Sequence, residues 1–511
     1  MKSVERYAVF ELELAGTSGE CQDADITACF RNGDQAKADK ITMKGFYAGN
    51  GKAIIRFMPE LEGVWNYTAT WGEISVEGSF RCIANQGQNH GPVRADGMHF
   101  RYADGTRFIP MGTTCYAWIH QTEQLQEQTL ATLQKSAFNK VRMCVFPKSM
   151  NYNRNDPDCY PFERDALGNW EISKPDSSFW EKLEKRIMQL GELGIEADLI
   201  LFHPYDRWGF ADLSREENLA YLDYCVRRLA AFRNVWWSLS NEYDLVFTKT
   251  IEDWDAFGDK VKETDPYSHL VSAHNWLEPY PKRDWMSHVS WQGSNMQEAF
   301  KLRAKYQLPT VVDELGYEGD IESDWGNNSA FEVVNRMWTA VAFGCYCTHG
   351  ETYYREDEVL WWAKGGSLYG KAPERIAFLK ELLEQLPGEM EPICRNVMDD
   401  PTAMAKSPEH AKLVRQIWDN RPQNRNVFIN EFIVPIGINP DYRLIYLQRH
   451  CNAFYDMELP ANGEYDVEVI DVWEMTRNRV MESVSGAFRI NLSGKEGIAI
   501  LVVRRSGELL A

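Results

Sequence analysis

The sequence predicts a (β/α)₈ barrel flanked by two β-sandwich domains. Three observations predict it. Eight short apolar runs alternate with helical patterns between residues 92 and 395. Short β-rich runs broken by Gly, Asn and Asp fill residues 1–88, and similar runs return over 405–511. Alternating strand and helix points to a parallel sheet wrapped by helices, and closely spaced short strands point to sandwiches.

Residues 1–88 read as an immunoglobulin-like sandwich. The runs YAVFELEL, ADITACF, KAIIRFMP, VWNYTATW and ISVEGSFRC are parted by turn signals such as AGNGK and LEGVW. The barrel strands are then expected at 107–118, 138–146, 196–206, 234–242, 269–275, 288–293, 309–316 and 343–351. Between them, Phe179, Leu183, Ile187 and Leu190 recur at helical spacing, and Ser214 with Glu217 forms a capping-box pattern. A doubly wound open sheet is the alternative. It calls for a Gly-rich phosphate loop after an early strand, and MGTTCYAW is not one. Over 405–511 the runs KLVRQIWD, NVFINEFIV, RLIYLQRH, YDVEVIDVW, GAFRINL and GIAILVVRR suggest a second sandwich.

The net charge of −20 disfavours a non-specific grip on nucleic acid or an anionic membrane. No apolar run reaches transmembrane length, and the opening MKSVERYAVFELEL lacks the continuous apolar core of a signal peptide, so a cytoplasmic protein is expected. The 11 Cys are scattered without a CxxC pair, so buried free thiols are expected, Cys345 and Cys347 included. No cofactor motif is evident and no metal is expected; a homo-oligomer is compatible with the composition. The 18 Trp and 23 Tyr suit a carbohydrate cleft as well as a core.

In barrel enzymes the chemistry collects where the strands end. Those ends carry Arg142, His203, Asn241 with Glu242, His274 with Asn275, Trp291, Asp313 with Glu314, and His349 with Glu351. Two carboxylates stand out. Glu242 closes a strand with no other charge, and Glu314 follows the buried-type run PTVVD. The fourth and seventh strands face each other across a barrel mouth, and two facing carboxylates are the apparatus of glycosidic cleavage. An acid there needs a raised pKa, for which Trp236 and Trp237 offer desolvation. Trp118, Trp208 and Tyr353 lie near other strand ends. With the long loop PKSMNYNRNDPDCYPFERDALGNWEISKP they are expected to wall the cleft into a pocket.

The barrel resembles the clan A glycoside hydrolases, relatives of the family 5 cellulases and mannanases. WSLSNE is similar to their Asn-Glu signature, VVDELG to their nucleophile segment and VRMCVF to the segment with an active-site Arg. FIPMGTTCYAWIHQ and DPYSHLVSAHN resemble the apiosidase-like group of glycosidases, in which a sandwich like the one carrying IIRFMPELEGVWNYTATW precedes the barrel. The resemblance implies Glu242 as acid/base, Glu314 as nucleophile, Asn241 on the sugar 2-hydroxyl, and Arg142 holding the nucleophile ionised. The family's sixth-strand His-x-Tyr is replaced by HVSWQG, so the hydrogen bond to the nucleophile is expected from another residue, such as Tyr353 or His349. The expected function is a retaining, exo-acting hydrolase of short plant-derived oligosaccharides. Two other classes compete: a metal-dependent amidohydrolase-type barrel, which would use His203, His274 and His349 but needs a His-x-His after the first strand where this sequence has one His in TTCYAWIHQ, and an inactive carbohydrate-binding protein.

Overall fold

Alternating burial along short strands builds the N-terminal domain. Lys2–Glu5, Ile74–Ile83, Gly63–Trp71, Ile26–Asn32 and Ile41–Lys44 form one sheet, and Phe10–Ala15, Lys52–Phe57 and Phe46–Gly49 form a second. Aromatic rings fill the space between them: Phe10 stacks on Phe80 at 4.1 Å and Phe30 on Phe57 at 4.2 Å. These observations come from a computed structural model, which describes residues 1–16, 25–34, 40–394, 405–419 and 434–505.

The central segment forms the eight expected parallel strands: β1 (Met111–Thr114), β2 (Lys140–Cys144), β3 (Glu196–Phe202), β4 (Val235–Ser240), β5 (Val271–Ser272), β6 (Val289–Gln292), β7 (Thr310–Glu314) and β8 (Tyr346–His349). Each pairs with its neighbour, β8 returns to β1, and a single bridge from His274 to Ser290 joins β5 to β6 and nearly closes the barrel. A helix of eleven or more residues follows every strand except β5. Helix Ser177–Glu192 buries Phe179, Leu183, Ile187 and Leu190, and Ser214 and Glu217 make the expected reciprocal cap. The loop after β2 carries a hairpin of its own, Phe162–Arg164 against Trp170–Pro175.

The barrel floor is plugged from below. Phe100, from the hairpin Val93–Asp96/His99–Tyr102, reaches Trp236, His288 and Tyr346. Above this plug lies a buried layer of charge. Lys140 Nζ stands 2.6 Å from Asp313 and 2.9 Å from Asp198, and Arg142 stands 2.8 Å from Asp313 and 3.7 Å from Asp198. Ser290 and Thr348 donate to Asp313 at 2.5 and 2.6 Å. Two cations and two anions cancel, which makes a buried layer of this kind tolerable. Burial opposes ionisation of Asp313, but Arg142 and Lys140 outweigh it and hold the carboxyl well below the usual range. Asp313→Ala should therefore cost on the order of 3–5 kcal/mol in urea unfolding, since it strands two cations on one carboxylate. The sign of the pH effect follows from the depressed value. The stabilisation is present above about pH 4 and is lost as pH falls towards the folded-state pKa.

The N-terminal domain and the barrel share one buried ionic joint. Arg56 donates to Glu184 at 2.6 and 3.0 Å and to the Arg228 carbonyl at 2.7 Å, while Arg228 grips the same carboxylate. The Met58 amide donates to the Tyr267 hydroxyl at 2.7 Å. On the opposite side, the C-terminal sheets (Glu391–Cys394 with Pro435–Asn439, Tyr442–Tyr446, Ile498–Arg504, Tyr465–Asp471 and Thr476–Val484, plus the pair Phe454–Leu459 and Gly486–Asn491) pack on helix Ala330–Ala342 through Tyr446.

KLVRQIWD is not a strand but lies within helix Pro408–Asp419. Leu413 and Ile417 are one helical turn apart, and Ser407 accepts the His410 amide at the helix start. NVFINEFIV falls almost wholly outside the described residues. The nine described cysteines are free, Cys345 and Cys347 among them. No described helix is long and apolar enough to cross a membrane.

Candidate active site

The apolar strand β4 ends at Ser240, and the chain then turns sharply. Glu242 adopts φ +47°, a left-handed backbone uncommon for a residue with a Cβ. The turn is held in place: the Glu242 amide donates to His274 Nδ1 at 3.3 Å, and the Tyr243 amide to the His274 carbonyl at 2.9 Å. Tyr205 donates its hydroxyl to one carboxylate oxygen of Glu242. The Gln292 amide donates to the other at 3.1 Å when its side chain is oriented to satisfy both ends. Burial, joined by the charge of Glu314, pushes the Glu242 carboxyl up to about 7.

Glu314 is the last residue of β7 and is partly exposed. Its hydroxyl partner comes from one strand beyond its neighbour β8: Tyr116, two residues past β1, donates to Glu314 Oε1. The same hydroxyl lies 3.4 Å from Asn241 Oδ1 and 3.3 Å from the Tyr317 hydroxyl. Arg142 lies beneath and donates to Asn241 Oδ1 at 3.2 Å and to Ser290 at 3.1 Å. Asn241 Nδ2 is buried without a partner, so an unused donor remains on the side chain next to Glu242 in the chain.

Between the two Tyr–Glu pairs sits Lys148, four residues beyond β2. Its ammonium lies 3.7 Å from the ring centroid of Tyr116, 4.3 Å from that of Tyr205 and 5.3 Å from that of Trp362. Burial lowers its pKa, while the charges of Cys144, Glu314 and Glu242 act to raise it.

The fold gathers Glu242, Glu314, Asn241, Arg142 and His274 at one mouth. The remaining expected residues lie elsewhere or behind. His203 accepts the Tyr205 amide at 3.2 Å and so sets the loop that carries Tyr205. Burial lowers its pKa to about 3. Trp118 is fully buried and bonds the Gln126 carbonyl, and Trp291 is buried in the core with its ring against Gly293. Trp208 is half-buried and ties down the β2 loop through Asp156 at 2.9 Å. Neither Trp236 nor Trp237 reaches Glu242. Trp236 points into the barrel floor and Trp237 outward to Asp265, because strand residues alternate sides. The acid is desolvated instead by its own buried turn.

His349, Glu351 and Tyr353 form a separate cluster with Glu318. Three ligand atoms, one each from Glu318, His349 and Glu351, lie within 4.8 Å of one another, close enough in spacing to hold a cation. The carboxylates are already occupied, however. Glu351 accepts the amides of Tyr369 and Gly370, and Glu318 accepts those of Lys371 and Ala372 together with the Tyr353 hydroxyl. The cluster anchors the entry to helix Ala372–Gln385. Neither Tyr353 nor His349 supplies the hydrogen bond to Glu314. Tyr116 does; its place within the expected first strand, 107–118, did not single it out. Gln292 stands in HVSWQG, the segment that replaces the family's His-x-Tyr, whereas Tyr205 and Lys148 gave no signal.

The apiosidase-like catalytic domain family matches residues 94–388. Two domains of unknown function, DUF5060 and DUF5605, match 3–72 and 433–503. A solved structure of a candidate glycoside hydrolase from Bacteroides vulgatus is 35% identical, covers 99% of this chain and 100% of its own, and superposes with TM-score 0.84. A family 5 glycoside hydrolase from the same organism is 15% identical with TM-score 0.59, covering 82% of this chain and 95% of its own, which is a likeness of fold. No curated protein matched the chain. With its barrel matched across 94–388, the chain belongs to the apiosidase-like family of glycoside hydrolases.

Proposed function

We propose that the barrel cleaves glycosidic bonds by double displacement, with Glu314 as nucleophile and Glu242 as acid/base. The observation that carries this reading is the pair itself. Two carboxyl groups converge from β4 and β7. One is pushed to about 7 and so keeps a proton near neutrality, and the other accepts a tyrosine hydroxyl at the open mouth. Asn241 Nδ2, unpartnered on the residue next to Glu242, would take the sugar 2-hydroxyl.

We further propose exo-action on short plant-derived oligosaccharides; the contact between two rim loops is compatible with a closed pocket. The β2 loop meets the β8 loop at Tyr152 and Tyr354, whose rings lie 6.3 Å apart, and this contact walls one side of the cleft. The test is to screen aryl glycosides and plant-wall oligosaccharides and follow the first-formed product by proton NMR. Retention of anomeric configuration is expected. Inversion would replace the nucleophile with a base-activated water.

A further inference from the structure

Lys148 has three donors and no acceptor. Among the described residues no carboxylate comes within ion-pair range of its ammonium, and it donates no hydrogen bond. Its contacts are ring faces, which offset part of the cost of removing it from water but leave its N–H groups unused. The two rings nearest the ammonium belong to Tyr116 and Tyr205, which hold Glu314 and Glu242 respectively. A cation so placed stands where a sugar between the two carboxyl groups would present its hydroxyls.

The charge balance indicates which sugar. With Glu242 protonated, Lys148 and Glu314 cancel, and below them Lys140 and Arg142 are matched by Asp198 and Asp313. The rim around Tyr152 carries Asp320, Glu322 and Glu358. A sugar carboxylate would meet this acidic rim and an overall charge of −20, and would find no surplus cation inside.

We propose that Lys148 is a substrate-binding residue that donates to the hydroxyl oxygens of a neutral glycon, and that the enzyme discriminates against uronides. The inference rests on the proposed glycosidase reading. The same ammonium favours the ionised form of Glu242. Arg142, Cys144, His203 and His274 also face it; both histidines are held neutral by burial, and Arg142 is already paired.

The test compares wild type with Lys148→Gln on a good substrate and its monodeoxy analogues. Lys148→Gln should lower kcat/KM roughly 10- to 100-fold on the parent, the range for a hydrogen bond to a charged group. It should lower kcat/KM less than about 3-fold on the one analogue that lacks the bonded hydroxyl, because the two losses overlap. The limb of the pH profile set by Glu242 should move to higher pH. A residue that only supports the fold would lower all substrates equally and leave that limb in place, and that result overturns the proposal. So does a uronide preferred by wild type and lost in Lys148→Gln. If Lys148→Gln does not fold, Lys148→Arg keeps the charge: the Glu242 limb should stay and the deoxy discrimination should weaken. Additive losses in an enzyme labelled at Glu314 defeat this inference alone. Labelling elsewhere defeats the assignment of the nucleophile whatever Lys148 does, and the absence of turnover on any glycoside defeats both.

Discussion

Glu314→Gln should reduce turnover by about four orders of magnitude or more while leaving the melting temperature nearly unchanged. The amide keeps the shape of the side chain and can still accept from Tyr116, so the loss falls on nucleophilicity alone. A 2-fluoro glycoside with a good leaving group should accumulate as an adduct on Glu314, located by peptide mass spectrometry. An active enzyme labelled elsewhere would overturn the assignment. Steady-state kinetics and a thermal melt on one preparation separate a chemical defect from a folding defect.

Glu242→Ala should act unevenly across substrates. Glycosides with poor leaving groups need the proton and should slow by roughly 10²- to 10⁴-fold. Activated aryl glycosides need little protonation, and azide should restore their turnover by replacing the base-assisted water. In wild type the acid must be protonated, so kcat/KM should fall as pH rises through about 7, the value set by burial and the neighbouring Glu314 charge. Equal slowing of both substrate types without azide rescue would remove Glu242 from the acid/base role.

Much of the architecture was legible because it rests on periodicity. The eight strands, the buried face of helix Ser177–Glu192 and the cap at Ser214 all follow from local spacing. Glu242 and Glu314 were legible for a related reason: a carboxylate at the end of an apolar strand stands out. Their partners did not stand out. Tyr205, Tyr116 and Lys148 lie two to four residues past a strand, where loop conformation rather than pleat decides direction. Trp236 and Trp237 misled because proximity in sequence is not proximity in space. Trp236 faces the barrel floor and Trp237 faces outward to Asp265, while Glu242 lies beyond the strand in a left-handed turn. Helix Pro408–Asp419 misled because a short run rich in Leu, Val and Ile has too few residues to separate a period of two from one of 3.6.

The Arg56–Glu184–Arg228 joint bears on what counts as a unit of this protein. Glu184 belongs to a barrel helix, yet the N-terminal domain supplies one of the two guanidinium groups that neutralise it. Cutting the chain near residue 90 would not release a finished catalyst. It would expose the apolar surface beneath Arg56 and leave Glu184 with half its charge compensation. The seam visible in the chain is therefore not a seam in the free energy. The barrel and its preceding domain should be treated as one heritable piece, inherited, transplanted and melted together.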